Sequence, residues 1–363
     1  MIPILAANSF NIKFASEAIL ASNLIAFPTE TVYGLGANGF DALAMAKIFE
    51  VKQRPFFDPL ILHISDISML DRIWKCKNRL AEILIEKFWP GPLTLVLPKH
   101  DRIPDLASSG LPTVAVRMPN HPIALELIRQ AGVPLAAPSA NPFGRLSPTS
   151  ALHVQRHFEA GIEGILDGGP CSVGVESTIL SLVNDKPILL RAGGIAKEDL
   201  EACIGPIAIA AKHNPSANEV LKGSAPGPMA PGQLEGHYAP RTRLYLIPQG
   251  ADQNILSHYK NLFLQQKPPV EKPKVSPERE SPIGYLAFSS LPTNGNFTSV
   301  KILSTSGDLR EGAANLFSAL HELDQMGLEG ILAEAVPEVG LGLAIMDRLK
   351  KAEAGSRSGF QNS

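Results

Sequence analysis

The side chains best suited to chemistry in this chain are hydroxyls, cations and one amide, placed at the beginning or end of apolar runs or after a helical pattern. They are Thr29, Thr31, Lys52, Arg54, Arg117, Ser139, Asn141, Ser177 and Arg191. No G-x-S-x-G elbow is present, and no histidine stands beside Ser139 in the sequence. Cations and hydroxyls without an evident nucleophile and base favour phosphoryl or nucleotidyl transfer, in which a protein positions groups and neutralises developing charge.

Each of these residues also has a purely structural explanation. Lys52 and Arg54 follow a helical pattern, where a cation interacts favourably with the helix dipole. Arg117 and Arg191 end apolar runs, where a solvated tip is common. His63 in "LILHI" is typical of a satisfied core histidine. It is the combination that favours a site.

Two further features allow either explanation. His153 and His157 have the i,i+4 spacing of a zinc helix, but Val154 replaces the glutamate and no third ligand is evident, so we interpret both as solvated. Tyr238 in "GHYAP" is either a functional residue or a packing anchor.

The elements that would position these residues alternate between strands and helices. Strands are predicted at "LIAF", "PLILHI", "LTLVL", "TVAVR" and "PLAAPS". Asp41 is the expected N-cap of a helix that Pro55 stops, "HPIALELIRQAG" is a second helix, and a third begins near residues 147–149. "STILSLV" and "PILLRAGG" are joined by "NDK", which predicts a hairpin and hence a mixed sheet.

The 363 residues are enough for two cores. We place a catalytic α/β domain at 1–205, a Pro/Gly-rich linker at 206–240 and a second α/β domain at 241–353. The second domain is predicted to have strands "RLYLIP", "IGYLAF", "VKILS" and "GILAEAV". A charged, Pro-rich stretch near 268–282 is expected to be a disordered insertion, and 354–363 a flexible tail.

Composition narrows the function classes. The formal net charge of -2 gives no overall reason to bind nucleic acid or anionic membrane. Three cysteines without metal-ligand spacing argue against both a disulfide framework and a zinc site, so no metal ligands are assigned. No apolar stretch is long enough to span a membrane. We therefore expect a cytoplasmic protein.

The stretch Gly34-Leu35-Gly36-Ala37-Asn38-Gly39 matches the glycine fingerprint of dinucleotide-binding folds. However, "PTETVY" separates it from the preceding strand, and the nearest acid, Asp58, precedes the next strand instead of ending it. A nicotinamide oxidoreductase is therefore a weak alternative. We expect a tight turn at these glycines, beside a site and not forming its phosphate cradle.

Seven segments together carry a resemblance: "FPTETVYGLG", "KQRPFFDPLILHI", "PGPLTLVL", "VAVRMP", "PLAAPSAN", "VESTI" and "LLRAGGI". In order and spacing they resemble the YrdC-like family of L-threonylcarbamoyladenylate synthases, over the whole first domain. "APGQLEGHYAPRTRL" followed by an α/β domain is similar to the family's long form. The resemblance implies a YrdC-like twisted mixed-sheet domain followed by a smaller Rossmann-like α/β domain.

The resemblance also implies an activity. Family members are nucleotidyltransferases that combine L-threonine, bicarbonate and ATP into L-threonylcarbamoyl-AMP and release pyrophosphate. The product supplies threonylcarbamoyladenosine modification of tRNA through partner transferase proteins, and direct tRNA binding stays open. Magnesium is expected with ATP, held mainly by phosphates and water.

Site residues follow from the resemblance, by motif. L-Threonine would be held by Thr31, His63, Arg117, Ala137 and Ser177. ATP would be held by Lys52, Arg54, Asp58, Thr113, Ser139, Ser147, Arg191 and Tyr238, with Lys52 and Arg54 catalytic and Tyr238 in a linker that acts as a lid. The family usually has Asn in place of Asp58, so a contact between this carboxylate and ATP needs protonation, an Arg54 partner or magnesium.

Two more alternatives remain open. An RNA-binding protein with a YrdC-like domain would show strong, salt-dependent tRNA affinity without ATP chemistry. A carbamoyl-transfer maturation protein would carry zinc-finger modules beside the YrdC-like domain, but the sequence has no CxxC pair.

Overall fold

The computed structural model describes residues 1–183, 186–210, 230–232, 237–265, 282–291 and 296–358. The chain forms two compact units: Met1–Phe143 with Ser147–Leu234, and Gly144–Leu146 with Glu235–Ser363. The insertion predicted near 268–282 lies outside the described residues except for Pro282. The sheet of the first unit continues past the boundary predicted at 205, to a short strand at Ala208–Ile209.

The first unit is built on one mixed sheet of eleven strands. The strands are β1 (Ile4–Ala6), β2 (Ile25–Phe27), β3 (Gly34–Asn38), β4 (Ile61–His63), β5 (Leu93–Pro98), β6 (Thr113–Arg117), β7 (Leu135–Ala136), β8 (Gly164–Asp167), β9 (Thr178–Ser181), β10 (Ile188–Arg191) and β11 (Ala208–Ile209). Their order is β1-β8-β2-β3-β7-β4-β6-β5-β9-β10-β11. The hairpin of β9 and β10 pairs antiparallel, which confirms the prediction of a mixed sheet.

Helices cover this sheet. They are α1 (Ser9–Leu20), α2 (Ala42–Lys52), α3 (Arg79–Phe88), α4 (Asp105–Ser108), α5 (Pro122–Ala131), α6 (Ala151–His157) and α7 (Lys197–Ile204), with a 3-10 turn at Ile67–Arg72. α2 begins as predicted, because the Asp41 carboxylate accepts from Leu43 N. Likewise, α5 ends at Gly132, which has positive φ. α6 begins later than predicted, because Ser150 is its cap.

Gly34–Asn38 of the glycine fingerprint form strand β3, and a turn follows at Gly39 and Phe40, so the predicted tight turn is wrong for Gly34 and Gly36 and confirmed only for Gly39. β3 pairs antiparallel with β2, and Gly36 faces the Phe27 ring so closely that a Cβ there would lie 2.8 Å from it. A Cβ at Gly39 would lie 2.7 Å from the Pro134 carbonyl oxygen. The glycines therefore permit close packing within the sheet. They do not open a helix, as a dinucleotide-binding fingerprint must.

The second unit has a four-stranded parallel sheet with the order β12-β15-β13-β14. Its strands are β12 (Leu244–Ile247), β13 (Ile283–Ala287), β14 (Ser299–Ile302) and β15 (Gly330–Glu334), and its helices are α8 (Gln253–Gln265), α9 (Leu309–Asp324) and α10 (Gly342–Ser358). Leu256, Phe263, Tyr285 and Leu332 belong to its core. With the large mixed sheet of the first unit, this confirms the predicted fold class.

The end of α10 differs from the prediction. The tail predicted to begin at residue 354 is helical as far as Ser358. Two contacts explain this: the Ser356 hydroxyl accepts from Leu244 N at 3.0 Å, and Arg357 pairs with Glu353 at 2.6 Å. Across the described ranges, no helix is long and apolar enough to cross a membrane.

Candidate active site

Arg117 is the centre of the first group of site residues. It ends β6 and is buried, with its Nη1 donating to the Thr31 hydroxyl at 2.9 Å and its Nε to the Gly91 carbonyl at 3.2 Å. Its Nη2 lies 2.5 Å from Glu30 Oε2. The solvated strand tip considered as an alternative is therefore wrong. Arg117 is a buried cation held by the chain between β2 and β3 and by the residues before β5.

His63 lies directly beside Arg117. It ends β4, which pairs parallel with β6 so that the two residues are in register. Its Nδ1 shares a hydrogen bond with the Ile61 carbonyl at 3.2 Å, and its ring meets Phe27 edge-on. Burial, and secondarily the charge of Arg117, lower the pKa of His63 to about 3. The imidazole is therefore neutral at pH 7, both a satisfied core histidine and a neighbour of the site.

This buried histidine should make the folding stability depend on pH. Because the folded pKa lies at about 3 and the ordinary value is 6.5, only the unfolded chain takes up this proton between those limits. Stability is therefore full above about pH 6.5 and falls as pH is lowered toward 3. At about pH 4.5 we expect a loss of about 2–3 kcal/mol from this group. Urea unfolding of wild type and of His63→Asn, at about pH 7 and at about pH 4.5, measures this loss of stability. If the variant lost as much stability as wild type between the two pH values, His63 would not be the group responsible.

Ser177 and Arg191 form the second group. Arg191 ends β10 and is buried, and it donates to the Ser177 carbonyl through Nε at 3.1 Å and Nη2 at 2.9 Å. Nη2 also donates to the Ser177 hydroxyl at 3.1 Å. That hydroxyl shares a second hydrogen bond, at 2.7 Å, with Thr94 in β5. The solvated tip considered for Arg191 is therefore wrong as well.

The backbone around Ser177 is packed against Gly193. A Cβ on Gly193 would lie 2.3 Å from the Glu176 carbonyl oxygen and 2.4 Å from Thr178 N, both of them backbone atoms. Gly193→Ala should therefore displace Ser177 and lower the free energy of unfolding by about 1–3 kcal/mol. Gly312→Ala in α9 is the control, since its Cβ would make an ordinary contact of 3.4 Å with the Phe288 ring. Equal urea midpoints for Gly193→Ala and wild type would show that this packing is looser than described.

Lys52 is buried in the last turn of α2. Its ammonium group donates to the Ser139 carbonyl at 2.5 Å and also to the Asn141 carbonyl. Burial and the neighbouring Arg54 lower its pKa, while Asp58 opposes that shift. Of three ammonium donors, two are used in this way. Lys52 therefore fixes the segment after β7 and is more than a favourable charge at a helix end.

Arg54 and Asp58 form a buried ion pair at 2.9 Å. Arg54 also donates to two carbonyls of the same loop, those of Asp58 at 3.1 Å and Pro59 at 2.8 Å. Burial raises the pKa of Asp58, while Arg54, Lys52 and Arg191 oppose the rise in that order. The sequence left protonation, pairing with Arg54 or a bridging magnesium ion as ways to accommodate the Asp58 carboxylate. The structure shows the pairing with Arg54.

These contacts bring the predicted residues into one connected region of the first unit. Asp58 lies within electrostatic reach of Lys52, Arg54 and Arg191, and Arg191 binds Ser177. The residues before and within β5 join the two groups, because Gly91 accepts from Arg117 and Thr94 bonds Ser177. The site residues do not all lie at the carboxyl ends of strands. β4, β6 and β10 end at site residues, but β9 begins directly after one, Ser177.

Other predicted residues have different positions. Ser147 donates to Glu176 at 2.5 Å, and Glu176 directly precedes Ser177 in the sequence. Thr113 lies at the opposite end of β6 from Arg117. Ala137 N donates to the Ile61 carbonyl at 3.0 Å, so its N–H is already used. Tyr238 belongs to the second unit, buried against Phe317 with the Arg348 guanidinium 4.9 Å from its ring centre.

The sequence interpretation missed three polar residues of this region and misjudged one histidine. Glu30, Thr94 and Glu176 are buried and bind Arg117, Ser177 and Ser147, respectively. A lone polar residue within an apolar strand was the available signal for Thr94. His153 is not solvated as predicted: it is buried, and its Nδ1 accepts from Thr149 N at 3.3 Å.

Comparisons with known proteins show the family to which this chain belongs. Residues 17–193 match the Sua5/YciO/YrdC family model, described as "Telomere recombination", and residues 195–354 match "Threonylcarbamoyl-AMP synthase, C-terminal domain". The chain is 42% identical over 352 residues to the threonylcarbamoyl-AMP synthase of Bacillus subtilis, covering 97% of this chain and 95% of the relative. The chain belongs to the Sua5/YrdC family of threonylcarbamoyl-AMP synthases.

Further relatives extend the match within the Sua5/YrdC family. A threonylcarbamoyl-AMP synthase of Pyrococcus abyssi is 42% identical over 343 residues, covering 94% of each chain. The crystal structure of P. abyssi Sua5 complexed with L-threonine superposes with a TM-score of 0.82 at 41% identity, covering 98% of both chains. The chain is therefore an enzyme of the long, two-domain form of this family.

Proposed function

We propose that this enzyme makes L-threonylcarbamoyl-AMP from L-threonine, bicarbonate and ATP and releases pyrophosphate. The observation that carries the proposal is the connection of an Arg117 group suited to an amino acid with a Lys52, Arg54 and Arg191 group suited to a triphosphate. The P. abyssi relative solved with L-threonine supports threonine as the substrate.

In this reaction the threonine amine and bicarbonate give a carbamate, and a carbamate oxygen attacks the α-phosphorus of ATP. The planar guanidinium of Arg117 suits the substrate carboxylate, because its fork matches two oxygens. The Thr31 hydroxyl accepts a hydrogen bond from Arg117, and we propose that it contacts the same substrate. His63, whose lowered pKa keeps it neutral, lies beside Arg117, and we propose that it contacts the threonine side chain without adding a charge.

The cations around Asp58 suit the triphosphate. Negative charge develops on the departing pyrophosphate, and fixed positive groups in a buried site stabilise it without reorganising. Lys52 and Arg54 are fixed by backbone carbonyls before any ligand arrives. Ser139, Ser147, Thr113 and Tyr238 remain proposed ATP contacts.

Magnesium is proposed to come with ATP. The described residues include no group of three or more His, Cys, Asp or Glu side chains arranged to hold a metal. Asp58, the carboxylate nearest the cations, is already paired with Arg54. These residues do not form a metal cage, so phosphates and water would supply most ligands.

The product is a labile mixed anhydride, which suits immediate transfer. We propose that it supplies threonylcarbamoyladenosine formation in tRNA through partner transferase proteins. The nucleotidyltransferase class follows from attack at the α-phosphorus with pyrophosphate as the leaving group.

A pyrophosphate-release assay tests the proposal. Protein incubated with ATP, magnesium, bicarbonate and L-threonine should release pyrophosphate, and omission of any one component should abolish release. Mass spectrometry should find threonylcarbamoyl-AMP in the complete mixture only. Pyrophosphate release that does not depend on threonine would contradict the proposed reaction.

A further inference from the structure

Glu30 is a buried carboxylate whose hydrogen-bonding capacity is not used by the described residues. The backbone of Glu30 is fixed, because its main-chain carbonyl accepts a hydrogen bond from Val173 N at 2.7 Å. Oε2 lies 2.5 Å from Arg117 Nη2, but the two groups are not aligned as a hydrogen bond, and neither carboxylate oxygen has a hydrogen-bond partner among the described residues. Burying a carboxylate without hydrogen bonds is costly.

Other buried glutamates in this chain are satisfied. Glu334 accepts from Tyr285 Oη at 2.8 Å, from Phe288 N at 2.8 Å and from Gly250 N at 3.1 Å. Glu176 accepts from the Ser147 hydroxyl at 2.5 Å. Among the buried glutamates that the structure describes, Glu30 is therefore the one whose carboxylate accepts no hydrogen bond from the described residues.

The surroundings of Glu30 show a second unused polar atom. His121 is within electrostatic reach of Glu30, and its Nδ1 is buried with no hydrogen-bond partner in the described part of the chain. The Cys171 thiol also faces Glu30, and burial followed by this carboxylate raises the pKa of the thiol to about 12, so it remains neutral. Arg117 is the cation nearest to Glu30, and the carboxylate still has oxygens for another donor.

We propose that Glu30 accepts an N–H of the α-amino group of bound L-threonine and takes a proton from it. The inference rests on the proposed function. An α-amino acid carries its ammonium group one carbon from its carboxylate. A site that binds the carboxylate through Arg117 therefore needs an acceptor next to Arg117, and Glu30 is the carboxylate at that position.

The proton transfer balances with carbamate formation. One ammonium proton moves to a Glu30 oxygen, and the freed nitrogen lone pair forms a bond to the bicarbonate carbon. The bond from that carbon to its hydroxyl breaks, and the hydroxyl leaves as water with a second proton from nitrogen. The carbamate keeps the third N–H, which still donates to the Glu30 side chain. Glu30 loses its proton to solvent before the next turnover.

Calorimetric titration of two ligands tests the contact. The ligands are L-threonine and 3-hydroxybutyrate, which is threonine without its amino group. Wild type should bind L-threonine at least about tenfold more tightly, the loss expected for a charge-assisted hydrogen bond. Glu30→Gln should remove that preference, weakening L-threonine while changing 3-hydroxybutyrate by less than about threefold, and kcat for pyrophosphate release should fall as well.

Two results would overturn the inference. Equal weakening of both ligands in Glu30→Gln would mean that Glu30 acts only through Arg117, and unchanged threonine affinity would mean that it makes no contact. If wild type releases no threonine-dependent pyrophosphate and binds no threonine, the proposed function fails and this inference fails with it. Glu17→Gln, which removes a charge from an exposed side chain on α1, is the control, and a melting curve confirms that each variant is folded.

Discussion

Replacing Arg117 by alanine is expected to weaken L-threonine binding by about 30-fold to several thousandfold, the equivalent of about 2–5 kcal/mol for truncating one partner of a buried charge pair. Arg117 is buried and is fixed by Thr31 and Gly91, so its guanidinium needs no reordering to meet a carboxylate. Calorimetric titration with threonine measures the loss. ATP affinity should change little, because the Lys52 and Arg54 contacts are separate.

The same substitution should also destabilise the fold. It leaves Glu30 buried without its cation, at a cost of about 3–5 kcal/mol. The double variant Glu30→Gln/Arg117→Ala should recover most of that stability in urea unfolding but not the threonine affinity. Arg129→Ala, which removes an exposed arginine of α5, is the control. Threonine affinity within a few-fold of wild type in Arg117→Ala would remove Arg117 from the substrate site.

Replacing Arg54 by alanine is expected to lower the rate of pyrophosphate release by at least about a hundredfold, the usual effect of removing one donor that stabilises developing charge. The single variant also isolates Asp58 as a buried carboxylate and should lose about 3–5 kcal/mol of stability. Part of the rate loss would then reflect unfolded protein.

A second substitution separates these effects. In Arg54→Ala/Asp58→Asn the buried charge is neutralised, so stability should return while turnover stays at least about a hundredfold below wild type. Asp58→Asn alone should keep wild-type turnover and bind ATP at least as tightly, since it removes a negative charge beside the phosphates. Steady-state pyrophosphate release and urea unfolding of the three variants measure both quantities. Recovery of turnover in the double variant would show that Arg54 serves only to pair Asp58.

Local sequence signals predicted the elements that have strong boundaries. Asp41 and Gly132 mark the ends of α2 and α5, and the short connection predicted the hairpin of β9 and β10. β3 was missed because two glycines have no β-strand preference. It is a strand because it pairs with β2 and β7, and Gly36 leaves room for the Phe27 ring, which is tertiary information. The strands β1 and β8, short and paired with each other, have equally weak signals.

The sequence predicted the site cations and named Arg54 among three ways to accommodate Asp58, but it did not reveal the partner of Arg117. Polar residues at the ends of apolar runs were the signal in the sequence, and this signal pointed to Thr31, Arg117, Ser177 and Arg191. The pairing of Arg117 with Glu30 joins residues far apart in the chain, so no spacing rule reveals it. Arg54 and Asp58 are four residues apart, but Pro55 ends the helical pattern that would have made this spacing informative.

The cations of this enzyme are also part of its scaffold, since Lys52, Arg54 and Arg191 all donate to backbone carbonyls. In many proteins a buried ion pair can be exchanged for apolar residues with no loss or even a gain in thermal tolerance. At the Arg54–Asp58 pair, the same exchange would also remove a contact that we propose for the triphosphate of ATP. Adaptation to heat in this lineage would therefore draw on substitutions elsewhere, such as the apolar core of the second unit.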